Sequence, residues 1–211
     1  MTILRLACSP NGVHSESFRL SQFIVEALSK SDAALGTEIL EIDANRLSHV
    51  DAPYARALGG PCDPEDAEGG SLGRSDDLIQ SLSEADYLVI ATPMHNYTVP
   101  SGLKSWIDHV VRIRHTFSAT PAGKIGKLAD RPVFVAVSSG AVFSGSQAHQ
   151  PDFLTPYLRA VLATIGFKCI TFFSVQGSAK DEALLEEARL GAQAEIAEYF
   201  MNWSVKDGVV S

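Results

Sequence analysis

Three short stretches of this 211-residue chain bring together residue types that could do chemistry. The first is "SPNGVHSES", Ser9 to Ser17, small and hydroxyl-bearing residues between an apolar run and a helical stripe. A helix starting here offers unpaired backbone N–H groups and a partial positive charge. Ser15 and Ser17 add neutral donors, so the set suits a terminal phosphate monoester. It has neither the lysine of a P-loop nor the three spaced glycines of a dinucleotide-binding turn. The same residues also suit plain helix capping, with Ser17 as N-cap. Glu16, a carboxylate between two donors, is expected to point outward.

The second stretch is "TPMHNYTVP", Thr92 to Pro100. Pro93 and Pro100 stiffen a bend around Met94, His95, Asn96 and Tyr97. Apolar and aromatic faces with an amide suit a flat heteroaromatic ring; the alternative is an ordinary strand-to-helix turn with a lone histidine. The third is "SSGAVFSG", Ser138 to Gly145, whose small residues let backbone groups approach a ligand edge closely. A rival reading takes Ala136-Val137-Ser138-Ser139-Gly140 as a relaxed nucleophile elbow. That motif needs a strand turning at once into a helix, with acid and histidine partners downstream. Here a polar loop follows, and the only later histidine is His149. His109 and His115 lack metal-ligand spacing and any cysteine partner, so no metal set is expected.

Apolar periodicity supplies the elements that must position these stretches. Residues 3–8, 37–43, 87–93, 131–140 and 169–175 read as strands, and 87–93 is apolar throughout, as expected of a strand covered on both faces. Leu20, Phe23, Ile24, Ala27 and Leu28 share a helical face. So do Leu103, Trp106, Ile107, Val110 and Val111, and again Leu154, Tyr157, Leu158, Val161, Leu162 and Ile165. A short helix is expected over 75–85 and a long one over 179–203, with residues 44–74 irregular. Five strands alternating with helices give an α/β doubly wound, five-stranded parallel sheet with helices on both faces. In that class ligands bind beyond the carboxyl ends of the strands, where all three stretches fall.

Composition narrows the class further. With 25 acids against 17 bases the net charge is −8, which argues against a nucleic-acid partner and leaves any bound anion to local donors. No apolar run approaches the length of a membrane span, and "MTILRLACSP" does not read as a secretory signal. Cys8, Cys62 and Cys169 are odd in number and far apart, and Cys8 and Cys169 lie in apolar strand-like runs, which reads as buried thiols in a reducing cytoplasm.

Taken in order, "SPNGVHSES…LS", "PMHNYTVPSGLKSWIDHVVRIRHTF", "GKLADRPVFVAVSSG" and "DFLTPYLRAVLATIGF" cover most of the chain. With these motifs the chain resembles the FMN-dependent NADH:quinone oxidoreductases, the azoreductase family. The resemblance implies a single flavodoxin-like, FMN-binding domain over residues 1–211, a homodimer, and FMN near the subunit interface. It implies the phosphate on Ser9, Ser15, Glu16 and Ser17, and the isoalloxazine along Met94, His95, Asn96 and Tyr97. The ring edge is implied to meet Ser138, Ser139, Gly140 and Ala141. Phe117 matches a family aromatic near the flavin, and His149 is placed with it in the substrate pocket.

There are departures from the family pattern. His95 replaces a usual tyrosine, Ser139-Gly140-Ala141 a common Arg-Gly-Gly, and Glu16 a frequent glutamine. The implied activity is two-electron transfer from NADH or NADPH to quinones or azo compounds in a ping-pong cycle, the flavin carrying the redox chemistry. His95, Tyr97 and His149 are candidate proton donors, but solvent suffices and no catalytic residue is assigned. The other function class is a flavodoxin-like electron carrier serving redox partners. The long 44–74 and 139–151 segments, able to wall an open substrate slot, favour the enzyme.

Overall fold

The apolar runs become strands because a segment buried on both faces gains nothing from a polar side chain on either. The computed structural model describes residues 1–31, 36–60, 69–179 and 181–203, and Cys62 lies outside them. In chain order the strands are β1 (Thr2–Ala7), β2 (Glu38–Asp43), β3 (Tyr87–Pro93), β4 (Phe117–Thr120), β5 (Gly123–Gly126), β6 (Val133–Ser139) and β7 (Ile170–Gln176). The helices are α1 (Glu16–Ser31), α2 (Ala52–Gly59), α3 (Gly70–Glu84), α4 (Ser101–Val110), α5 (Leu154–Ile165) and α6 (Glu182–Asn202). Five strands form one parallel sheet in the order β2-β1-β3-β6-β7, and β4 and β5 form a separate antiparallel hairpin.

Alternation along each strand sorts two cores. Leu4, Leu6, Leu88, Ile90, Val133 and Val135 face α3, α4 and α5, where Leu82, Leu103, Trp106 and Leu158 close the layer. Ile3, Val89, Phe134 and Phe173 face α1 and α6, against Leu20, Ile24, Leu28 and Ile196. Tyr199, Phe200 and Trp203 at the end of α6 pack around Phe134 with ring centroids 5.3–6.0 Å apart. The doubly wound expectation therefore holds, with the winding reversing between β1 and β3. The register aligns Ala7 with Ala91 and Pro93 with Ser138. It thereby brings the ends of β1, β3 and β6 to one edge.

Several local expectations need correction. Residues 44–74 are not one irregular stretch: they contain a short 3-10 turn (Ala44–Arg46), α2 and the start of α3. Outside contacts hold these pieces. The Asp51 carboxylate accepts the Tyr54 amide (2.9 Å), and the Tyr54 hydroxyl donates to the Asp108 carbonyl (2.8 Å). Arg114 donates to the Ala57 and Gly60 carbonyls at the end of α2 (2.7 and 3.0 Å), the way a cation closes a helix C-terminus. Phe23 leaves its expected buried face and is partly exposed, and Cys169 is only half-buried whereas Cys8 is sealed. The β4–β5 hairpin was not expected at all.

Candidate functional site

At the end of β1 the chain makes a tight turn before α1. Gly12 takes φ +53°, in the region that favours glycine, and its amide donates back to the Ser9 carbonyl (3.0 Å). The helix cap is Ser15 rather than Ser17. The Ser15 hydroxyl donates to the Gly12 carbonyl (2.8 Å) and accepts the Phe18 amide (3.2 Å). Ser17 lies two residues further in, with its hydroxyl 3.4 Å from that of Ser15. The amides of Glu16 and Ser17 have no partner among the described residues. Ser9, Ser15 and Ser17 are all buried, and Asn45, arriving from β2, donates to the Ser9 carbonyl (3.0 Å). The result is a cluster of three buried hydroxyls beside two backbone donors, at a helix N-terminus, that have no partner among the described residues.

Glu16 does not face that pocket. Its carboxylate is gripped by the fork of Arg189 on α6, Nε to Oε2 at 2.9 Å and Nη2 to Oε1 at 2.8 Å. Arg19 Nη1 adds a longer contact to the same Oε1 at 3.3 Å. The hydrogen bonds from Arg189 hold the Glu16 carboxyl below the usual carboxylate range. Its pKa is lower folded than unfolded, so the pair adds stability at neutral pH. That contribution starts to fade near the unfolded value of about 4.3 and is gone below the folded one. The melting temperature of the parent should therefore fall more steeply than that of Glu16→Gln between about pH 5 and pH 3. Parallel curves would show that the fork contributes nothing.

Beyond β3, residues His95 to Thr98 form a two-residue turn closed by reciprocal amide–carbonyl bonds of 3.0 Å. Asn96 and Tyr97 take φ of +48° and +70°. Both central residues are thus left-handed, which asparagine tolerates and tyrosine resists, a strain of about 1 kcal/mol or more. Surrounding bonds fix the geometry. The Met94 amide donates to the Ser138 carbonyl (2.7 Å) and the Phe153 amide to the Tyr97 carbonyl (3.0 Å). The Gln150 amide reaches Ser139 Oγ (2.9 Å) and Met94 Sδ (3.1 Å). The Tyr97 ring is consequently presented half-exposed, with His95 and Asn96 also open to solvent.

The third loop is anchored from β7 and the segment after it. The Gln176 side-chain oxygen accepts the amides of Phe143 (2.8 Å) and Ser144 (3.1 Å), and the Ser178 amide donates to the Ser139 carbonyl (3.0 Å). Ser138 and Ser139 are buried, while Gly140 and Ala141 border solvent. No helix follows Ser139 until Leu154, so the strand–helix context of a nucleophile elbow is absent here. Burial pushes the Cys8 thiol well above its ordinary range, so it stays protonated and is no nucleophile. Among the described residues no group of His, Cys, Asp and Glu is arranged to hold a metal ion.

The three loops thus meet at one edge, but the two proposed pocket residues differ. His149 lies on the third loop, exposed, its amide on the Val142 carbonyl (3.0 Å). Phe117 opens the hairpin, which follows α4 as it runs back from the loops to the opposite edge of the sheet. There it is buried, with the Lys124 ammonium 5.0 Å from its ring centroid. Sequence reasoning passed over Asn45, Gln150, Gln176 and Arg189. Asn45 and Gln176 sit where the rule used for the other loops applies equally, at the carboxyl ends of β2 and β7. Gln150 and Arg189 carry no such signal.

Comparison with known proteins places the fold and the family. A family model described as "Flavodoxin-like fold" matches residues 1–199. FMN-dependent NADH:quinone oxidoreductase 5 of Burkholderia lata is 41% identical over 187 residues, covering 89% of this chain and 90% of that protein. The chain belongs to that flavodoxin-like oxidoreductase family. A second member, FMN-dependent NADH:quinone oxidoreductase 4 of Pseudomonas fluorescens, is 45% identical over 191 residues, 89% of this chain and 91% of its own. Among solved structures, an azoreductase from Bacillus anthracis superposes with a TM-score of 0.81 at 20% identity, covering 96% of this chain and all of that one. An FMN-dependent NADH-azoreductase from the same organism, in complex with FMN, gives 0.75 at 21% identity over 95% of this chain. These structural matches speak to the family's fold.

Proposed function

We propose that the protein is an FMN-dependent oxidoreductase that moves two electrons from NADH, or NADPH, to quinones and reductively cleaves aromatic azo compounds. The observation that carries this reading is the meeting of three loops beside the β1/β3 winding reversal, with two amides that have no partner among the described residues and the Ser17 hydroxyl in one and a presented Tyr97 ring in another. The donor set fits flavin mononucleotide, since hydroxyls and helix-terminal amides hold a phosphate without a formal cation. It also fits because the one carboxylate in the loop is turned away. In this reading Ser9, Ser15, Glu16 (through its amide) and Ser17 hold the phosphate. Met94, His95, Asn96 and Tyr97 run along the ring, and Ser138, Ser139, Gly140 and Ala141 meet its edge.

When bound, the flavin would supply the redox chemistry at N5, donor and acceptor using the same slot in turn. The protein's own part is to orient and to stabilise. The Gly140 and Ala141 amides, on a loop that Gln176 anchors through Phe143 and Ser144, would favour negative charge on the reduced ring edge. The strained turn would fix Tyr97 as one wall for flat substrates. His149 stands near enough in sequence to these anchors to border the slot. Phe117, at the far edge of its own sheet, would reach a flavin only across a subunit interface, which makes a homodimer part of the proposal. An apolar groove between α4 and α5, lined by Tyr54, Ile107, Val111, Tyr157 and Val161, lies beside the hairpin and could accept a second copy. A cytoplasmic site of action belongs to the same reading, because NADH and the unpaired thiols Cys8 and Cys169 suit a reducing compartment. Among the described residues no helix is long and apolar enough to cross a membrane.

Adding FMN to the purified apo-protein should quench the flavin's fluorescence and raise the melting temperature. Anaerobic NADH should then bleach the bound flavin, and a simple quinone alone should restore it, without a second protein. Recovery only with a protein acceptor would instead mark an electron carrier. Apo-protein that leaves FMN fluorescence and its own melting temperature unchanged would end the proposal.

A further inference from the structure

We propose that Arg189 is a positioning residue for the anion seat: it holds the Glu16 carboxylate off the phosphate of bound FMN. The inference rests on the flavin reading above and concerns how this chain accommodates an acid inside the loop that would hold the phosphate.

Glu16 is the first residue of α1, flanked by Ser15 and Ser17. A carboxylate there is well placed to turn back onto the N-terminal amides of its own helix, the donors a phosphate would use. Left free, it would compete for those donors and repel the dianion, in a chain whose net charge of −8 already disfavours anions. The structure shows the opposite arrangement. Both carboxylate oxygens are taken by Arg189, a residue 173 positions away on α6. Such a fork fixes direction as well as charge, because two parallel N–H···O bonds allow one orientation. Arg189 is itself fixed: its remaining Nη1 donates to Glu182 (2.9 Å) and Glu186 (3.0 Å). The side chains of Glu16 and Arg189 are mostly shielded, 15% and 19% exposed, so the pair is not a loose surface contact. Arg19, the other cation near Glu16, is half-exposed with one longer contact and is a weak substitute.

A purely structural staple between α1 and α6 would show the same distances, so the test must separate holding the fold from clearing the seat. FMN affinity and melting temperature of the apo-protein are to be measured for Arg189→Met, Glu16→Gln and the double variant. Arg189→Met should weaken FMN binding about tenfold, the scale of bringing one unit charge close to a phosphate in a half-wet site. Glu16→Gln in the same background should return the affinity to within about threefold of the parent, while the melting temperature stays lowered because the fork is still missing. Restoration of binding without restoration of stability is the signature a mere staple cannot give. If Arg189→Met does not fold, Arg189→Lys keeps the cation but not the fork; a loss of about threefold is expected, again cancelled by Glu16→Gln. The proposal is overturned if the Arg189 variants bind FMN like the parent, or if the double variants stay as weak as the singles. A parent protein that does not bind FMN would sink the cofactor reading itself, a result distinguishable because no variant is needed to see it.

Discussion

Replacing Gly166 with alanine is expected to lower the melting temperature by about 6–12 °C, corresponding to about 3 kcal/mol in a domain of this size. Gly166 ends α5 with φ +124° and ψ −10°, outside any basin an L-residue occupies comfortably. Its amide closes the helix on the Leu162 and Ala163 carbonyls (both 3.2 Å), and the next amide, of Phe167, also reaches Leu162 (3.0 Å). A Cβ at this position would meet the Leu128 carbonyl oxygen well inside van der Waals contact. Neither problem has a side-chain solution, since the obstructing atom is backbone held by the Leu128 amide on the Ile165 carbonyl (3.1 Å). Gly126→Ala tests the packing part alone. A Cβ there would strike the Gly166 backbone, yet Gly126 is not among the positive-φ glycines. Thermal or urea unfolding of both variants checks the claim, and a drop under about 2 °C for Gly166→Ala would mean that strand and helix do not approach this closely.

The second large effect concerns the first loop. Ser15→Ala and Ser17→Ala look alike on paper but should behave differently. Ser15 already uses its proton on Gly12 and its lone pair on Phe18, so it builds the loop. Its removal should cost about 1 kcal/mol of stability, the loss of a helix cap, and weaken FMN binding through a distorted seat. Among the described residues Ser17 has only the long contact to Ser15, so its buried hydroxyl is not committed to holding the loop. Ser17→Ala should leave the apo-protein's melting temperature within about 1 °C of the parent. It should weaken FMN binding about 10- to 100-fold, the loss of one charge-assisted hydrogen bond. Flavin fluorescence titration and thermal unfolding together decide it. Equal affinity of Ser17→Ala and the parent would remove this hydroxyl from the seat.

How much of this could be read in advance depended on where the determining contacts lie. The central strands were legible because Tyr87–Pro93 and Val133–Ser139 are covered on both faces and therefore apolar without interruption. The stripes on α1, α4 and α5 were legible for the complementary reason. Helix α2 and the first turn of α3 were not, because "APYARALG" is short and interrupted by a proline and "GSLGRS" carries two glycines, whereas the rest of α3 was legible as the helix expected over 75–85. Asp51 and Arg114 instead close the two ends of α2, and the Tyr54 hydroxyl ties it to the Asp108 carbonyl of α4. The hairpin Phe117–Gly126 shows no alternation, and it docks through two facing glycines that only tertiary structure reveals.

In the site, residue types pointed to the loops, and the resemblance to a family named their roles. The cap was misassigned by two positions because Ser15 and Ser17 have the same chemistry, and only the position of the Phe18 amide separates them. The left-handed turn at Asn96-Tyr97 could not be inferred, since neither residue is glycine. The partner of Glu16 could not be either, being 173 residues distant.

That distance bears on how the protein is made. The third loop is pinned by Gln176 and Ser178, and the Glu16 carboxylate is turned aside by Arg189, all of them in the last fifth of the chain. A nascent polypeptide that has emerged only through α5 possesses every residue of the three loops and none of these fasteners. Flavin loading should accordingly wait until α6 has emerged, and messages truncated before α6 should yield colourless product.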